Sequence, residues 1–115
     1  MKESCRVYFL NDKGNRFFGP GPAELLDRVA ACGSLVRAAG EMHLSYSKAL
    51  RMVRTAEQEF GFALLHSASG GVSGGGSALT PQAHEILRRF RACEQAAKDA
   101  PRDAFSQHFP DAPAE

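Results

Sequence analysis

From position 22 onward the apolar residues fall into stretches of helical period, separated by short polar or glycine punctuation. Leu25, Leu26, Val29 and Cys32 form one stripe at spacings of three and four, closed by Gly33, a natural stop. Pro22 suits the first turn of such a helix because its missing N–H would have no partner there, and Glu24 lies near the positive end of the dipole. A helix over 22–32 is therefore predicted. Ser34 supplies an oxygen to cap the next helix, in which Leu35, Val36, Ala39 and Met42 are the expected buried face over 35–42. After Met42-His43-Leu44 the period restarts. Ser45 is a further cap, Ala49, Leu50, Val53, Ala56 and Phe60 share one face over 45–60, and Gly61 ends the run. His43 falls where a tight turn between helices wants left-handed backbone, which His tolerates better than a β-branched residue does.

The flanking segments follow strand chemistry. Residues 5–10 (CRVYFL) and 16–18 (RFF) are rich in β-branched and aromatic side chains, and the N-D-K-G-N between them is a turn, so a β-hairpin is predicted over 5–18. Strand candidates at 62–67 and 77–79 bracket a glycine-rich loop at 68–76. That loop lacks the Lys of a phosphate-cradling P-loop and leads into a strand rather than a helix. The roughly 35 residues after it are too few for a second core, so 62–79 is predicted as a β-hairpin wing. Thr80-Pro81 opens a helix over 81–100, where Ala83, Ile86, Phe90, Cys93 and Ala97 form a seam suited to packing against another helix. That partner is either another helix of this domain or a twin chain, the latter making Ile86, Phe90, Cys93 and Ala97 a dimer interface. Ala100-Pro101 is expected to end the helix and 101–115 to form a disordered tail.

Composition narrows the chemistry. The 115 residues suffice for one domain around one core, and no run of about 18 apolar residues exists to span a bilayer. Met1-Lys2-Glu3 leads straight into a strand-like stretch with no secretory segment, so a cytoplasmic, nucleoid-associated protein is expected. Cys5, Cys32 and Cys93 are widely separated and odd in number, which fits reduced thiols acting as small core hydrophobes. His43, His66, His84 and His108 show no H-E-x-x-H spacing, and no Cys-x-x-Cys accompanies them. No enzyme, metal site or cofactor is expected.

The formal net charge of +1 is nearly neutral, but its distribution is uneven. Residues 1–20 hold Lys2, Arg6, Lys13 and Arg16 against Glu3 and Asp12. Residues 45–62 hold Lys48, Arg51 and Arg54 at the near end and Glu57 and Glu59 at the far end. Two helices joined by three residues, the second opening Ser45-Tyr46-Ser47-Lys48, form the pattern of a helix-turn-helix, whose second helix enters the DNA major groove by its N-terminal end. Ser47, Lys48, Arg51 and Arg54 make one polar stripe, and the unpaired N–H groups at a helix start favour phosphate. Tyr46 either joins that stripe or packs beneath the helix.

The order hairpin, helix, helix-turn-helix, wing, helix carries a resemblance over about residues 6–97. The segments FFGPGPAELL (17–26), CGSLVRAA (32–39), LSYSKAL (44–50) and above all GGVSGGGSALTPQA (70–83) resemble the N-terminal winged helix-turn-helix domain of the molybdate-dependent transcriptional regulator (ModE) family, itself similar to LysR-type DNA-binding domains. The resemblance implies a mainly α fold with small β elements, comprising an N-terminal β-hairpin, a winged helix-turn-helix and a long C-terminal helix over 1–100. It implies sequence-specific binding of double-stranded DNA by a homodimer, with Ser45, Tyr46, Ser47, Lys48, Arg51 and Arg54 at the groove. Gly74, Gly75, Gly76 and Ser77 of the wing would approach the backbone. Two departures matter. Residues 63–79 carry no Asp, Glu, Lys or Arg, so the wing should attract phosphate weakly. Full-length members add a molybdate-binding module after the long helix, and no molybdate site is expected here. The alternative from a different class is an interaction or dimerisation module that kept the fold without DNA binding, such as an antagonist of a full-length regulator.

Overall fold

A computed structural model describes residues 1–68 and 76–111. In chain order it contains β1 (Phe9–Leu10), β2 (Arg16–Phe18), α1 (Pro20–Cys32), α2 (Leu35–Glu41), α3 (Tyr46–Phe60), β3 (Leu65–Ala68), β4 (Gly76–Leu79) and α4 (Pro81–His108). The fold class is the expected one, mainly helical with two separate antiparallel strand pairs, β1–β2 and β3–β4.

Local chemistry sets most boundaries. The side chains of Ser34, Ser45 and Thr80 accept from the backbone N–H of Arg37, Lys48 and Ala83, so each satisfies a donor that the helix itself cannot. Gly33 and Gly61 close α1 and α3 in left-handed conformations at φ 72° and 86°. Between α2 and α3, His43 is the only non-glycine residue with positive φ among those described, at 57°. Its N–H donates to the Gly40 carbonyl at 3.1 Å, while the Leu44 N–H reaches back to Ala39 at 2.9 Å. These two bonds are a Schellman ending, with His where glycine is usual.

Phe18, Leu25, Leu26, Val29, Leu64 and Phe90 are the largest fully buried side chains. Phe18 meets Phe90 edge-on at 5.1 Å and Phe60 at 5.5 Å, and Phe9 meets Phe90 at 5.4 Å, so the N-terminal strands sit on α3 and α4 through an aromatic cluster. A charge pair between Arg91 and Asp27 adds a polar tie between α4 and α1. Arg28 does the same between α1 and the end of α2, donating to Glu41 at 3.0 Å.

Several expectations are corrected. The first hairpin is shorter than 5–18: its register shifts between Phe9 and Leu10, and residues 3–5 instead share a groove with Lys98, Pro101 and Arg102 of α4. Cys5 and Cys93 are exposed and Cys32 is half-buried, so none belongs to the buried core. Cys5 precedes the first strand, and Cys93 lies one turn beyond Phe90, where α4 leaves the core. Val36 is exposed because the two-turn α2 buries only its Leu35, Ala38 and Ala39 side.

The segment expected to be a disordered tail is helical as far as His108, with Pro101 inside the helix. Proline there removes one backbone hydrogen bond and crowds the preceding turn. Offsetting contacts flank it: Arg102 donates to Asp99 at 3.2 Å across Pro101, and Phe105 stacks on Phe109 at 5.6 Å. At 1.5 Å per residue the 28 residues of α4 reach about 42 Å, which accounts for most of the 58 Å long axis of the molecule.

Candidate nucleic-acid interface

The helix-turn-helix pair is built as its sequence dictates. Ala49, Val53 and Ala56 of α3 are buried, Leu50, Met52 and Phe60 are half-buried, and the opposite face carries Ser47, Lys48, Arg51 and Arg54 in the open. Small residues on both partners, Ala38 and Ala39 on α2 and Ala49 on α3, let the two helices approach closely. Tyr46 is 50% exposed, so it stands at the helix start beside Ser45 and Ser47 rather than beneath the helix. The Ser45 hydroxyl oxygen accepts from Lys48 N–H at 3.1 Å, which fixes the direction in which the first turn points its remaining N–H groups.

The cations of this face differ in freedom. Arg54 lies 4.0 Å from Glu57, a weak surface pair. Lys48 and Arg51 have no ion pair among the described residues. Elsewhere arginines are mostly engaged: Arg88 and Arg89 both bind Glu85, at 2.5 and 3.0 Å, and Arg91 binds Glu94 at 2.9 Å. The Arg88 and Arg89 guanidiniums together pull the Glu85 carboxyl down to about 2. Arg16 and Arg37 are likewise outside any ion pair among the described residues, so what distinguishes Lys48 and Arg51 is their place in the first turns of α3.

Two β-hairpins flank α3. On one side, Asn11 donates to Glu59 at 3.2 Å and Phe17 meets Phe60 at 5.3 Å, pinning the first hairpin to the end of α3. Between β2 and the middle of α3 this leaves an open cleft of about 540 Å³, lined by Tyr8, Arg16, Phe17, Gly19, Pro22, Lys48, Arg51, Met52 and Thr55 among others. On the other side, one Glu57 carboxylate oxygen accepts from the N–H groups of Leu64 and Leu65 at 2.8 and 3.4 Å. That side chain ties the start of the wing to the end of α3.

Wing strands β3 and β4 pair in register from Leu65 opposite Leu79 to Ala68 opposite Gly76. Gly76 and Ser77 belong to β4 and are half-buried; Gly74 and Gly75 lie outside the described residues. The Ser77 N–H donates to the Gly33 carbonyl at 2.9 Å, so it is already spent on tying the wing to the α1–α2 corner, and only its hydroxyl is left for another partner. Of the seam residues, Phe90 is wholly enclosed by the chain's own core and is removed from the expected dimer interface. Ile86 and Ala97 are half-buried and Cys93 is exposed.

Sequence reasoning passed over Glu57 and Arg16. Glu57 was one of two acids at the far end of a helix, and only the returning wing gives its carboxylate work. Arg16 was a strand residue; its nearness to Lys48 and Arg51 depends on how the hairpin docks. Among the described residues no cluster of His, Cys, Asp or Glu is arranged to hold a metal ion, and no helix is long and apolar enough to cross a membrane.

Residues 23–84 match the bacterial regulatory helix-turn-helix proteins of the lysR family. The chain is also similar to the molybdenum transport protein ModE of Herbaspirillum seropedicae, 38% identical over 92 residues, covering 80% of this chain and 32% of that protein. It is 31% identical over 84 residues to the transcriptional regulator ModE of Haemophilus influenzae, covering 73% of this chain and 33% of the relative. The chain thus spans about a third of the length of these curated relatives.

Proposed function

Because the chain belongs to the lysR family of bacterial regulatory helix-turn-helix proteins, we propose that it is a sequence-specific DNA-binding transcriptional regulator that reads the major groove with the N-terminal half of α3. The observation that carries this reading is the exposed, unpaired Lys48 and Arg51 directly behind the Ser45-capped helix start, on the face turned away from the core. Ser45, Tyr46 and Ser47 stand at the groove with them, and Arg54 follows one turn on. A guanidinium can bind guanine O6 and N7 in bidentate fashion, and a first-turn N–H or hydroxyl suits a phosphate oxygen. Gly76 and Ser77, with Gly74 and Gly75 before them, bring the wing toward the backbone. Because Lys and Arg are absent from residues 63–79, the wing contributes fit and little charge.

The protein acts as a homodimer through α4, with Ile86, Cys93 and Ala97 toward the twin chain. Supporting this is the length of α4, whose last buried residue is Phe90 although the helix runs on to His108. Two recognition helices then meet half-sites one or a few helical turns apart. The molybdenum link in the relatives' names is not carried over, because the chain spans only about a third of those relatives' length.

Selection of bound duplexes from a random pool tests both halves of the proposal. A two-fold symmetric motif is expected. On the selected site the Lys48→Ala/Arg51→Ala double variant should lose most of the affinity. If Arg51 makes a bidentate guanine contact, Arg51→Ala alone should cost about 1–3 kcal/mol and relax specificity at one position. A folded double variant with wild-type affinity would overturn the assignment.

A further inference from the structure

The cleft between the first hairpin and α3 brings together three cations that are distant in sequence. Arg16 comes from β2, and Lys48 and Arg51 come from α3. No Asp or Glu lies among its lining residues, and none of the three cations has an ion pair among the described residues, in contrast to Arg28, Arg88, Arg89, Arg91 and Arg102. Unpaired cations converging on one concave surface call for an anion. The Arg16 guanidinium is also held in place: it lies over the Tyr8 ring, 3.9 Å from the centroid, so little side-chain freedom remains to be lost on binding. Gly19 makes this seat possible, since a Cβ there would come within 2.6 Å of the Tyr8 ring. The walls between the charges are apolar, from Phe17, Pro22 and Met52, with the Thr55 hydroxyl as a further donor.

A charged rim over apolar walls matches a phosphodiester with its deoxyribose neighbours. We propose that this cleft is a seat for the DNA backbone, in which Arg16 grips a phosphate beside the strand whose groove α3 enters. The proposal rests on the DNA-reading role of α3 and deepens it, adding the N-terminal hairpin as a second arm. It also explains where phosphate attraction comes from in a protein whose wing has no Lys or Arg: the hairpin on the opposite flank of α3 supplies the cation.

Each phosphate contact adds about 0.9 to the slope of log binding constant against log salt. In anisotropy titrations with duplex DNA, Arg16→Ala should lower that slope by about 0.9 and weaken binding about eight-fold at 0.1 M salt. The loss should be equal on the selected site and on random duplex, because a phosphate carries no sequence information. Arg16→Lys should keep the slope, and Lys13→Ala, at the turn of the same hairpin but outside the cleft, should leave it unchanged. Arg16→Gln keeps most of the stem and serves if the alanine variant folds poorly.

An unchanged slope in Arg16→Ala, alongside loss of binding in Lys48→Ala/Arg51→Ala, overturns this proposal and leaves the reading of α3 standing. A loss confined to the selected sequence would make Arg16 a base contact, and an equal loss in Lys13→Ala would reduce it to general charge; either overturns the seat. Saturable shifts of Tyr8 and Arg16 resonances by sodium benzoate, with the slope indifferent to Arg16, would assign the cleft to small carboxylates instead.

Discussion

The two β-hairpins that flank α3 are built from the same kind of element and work differently. The first, β1–β2, has a register irregularity and only two or three residues per strand, yet it is anchored by an aromatic cluster and carries Arg16 and Lys13. The second, β3–β4, has four residues per strand in clean register, no Asp, Glu, Lys or Arg, and backbone hydrogen bonds as its anchors: Thr80 N–H to Leu64, Ser77 N–H to Gly33, and the Glu57 carboxylate on Leu64 and Leu65. Aromatic packing, with the Asn11–Glu59 hydrogen bond beside it, therefore holds the charged arm, and backbone hydrogen bonds together with the buried Leu64 and Leu79 hold the uncharged one. Position beside α3 does not by itself say what a hairpin contributes; the side chains it carries, and how it is pinned, do.

The largest effect should come from undercutting the first hairpin. Phe90→Ala removes the ring that Phe9 and Phe18 both pack against, and a buried Phe truncation costs about 3–5 kcal/mol. Denaturant unfolding should show that loss, and hydrogen exchange in the folded fraction should rise at Phe9 and Phe18 before it rises at Leu65 and Leu79. Exchange rising first in the wing would break the distinction between the two anchors. Glu57→Ala acts on the other side. It leaves the Leu64 and Leu65 N–H groups without their acceptor, for which about 1–3 kcal/mol is expected. Amide exchange should then rise at Leu64 and Leu65 while the first hairpin stays protected.

A smaller change sharpens the comparison by touching neither hairpin. His43 holds φ 57°, so His43→Gly should raise stability by up to about 1 kcal/mol, and His43→Val should lower it by at least as much. Thermal unfolding of the pair gives the sign directly. The smallest effect concerns α4 just beyond the wing. Glu85, held at about 2 by Arg88 and Arg89 against an ordinary 4.5, has a depressed carboxyl. Its contribution is present above pH 4.5 and is lost as pH falls toward 2. Glu85→Gln should flatten that part of an acid titration of stability slightly, since the pair is solvent-exposed.

Which of these features could be read from the sequence follows from the range of the interactions. Ser34, Ser45 and Thr80 as caps, Gly33 and Gly61 as stops, and the left-handed His43 are decided within a few residues, and each stands where the sequence predicts it. The face of α3 was legible for the same reason: a 3.6-residue period separates Ala49, Val53 and Ala56 from Lys48, Arg51 and Arg54. Features set by distant packing were not. Cys93 and Phe90 belong to one seam in sequence, but the core ends between them. Pro101 looks like a stop until residues 3–5 are seen sharing a groove with Lys98, Pro101 and Arg102. Glu57 and Arg16 gained their roles only from where two hairpins return to α3.

The central claim, that the open face of α3 binds DNA, is tested most directly by a salt titration of the wild-type protein on random duplex. The account predicts a linear fall of log binding constant with log salt, with a slope of about −2 or steeper from two or more neutralised phosphates. It further predicts that the slope falls by about 1.8 in Lys48→Ala/Arg51→Ala, leaving the share that Arg16 supplies. Binding that is absent, or that shows almost no slope, would contradict the claim.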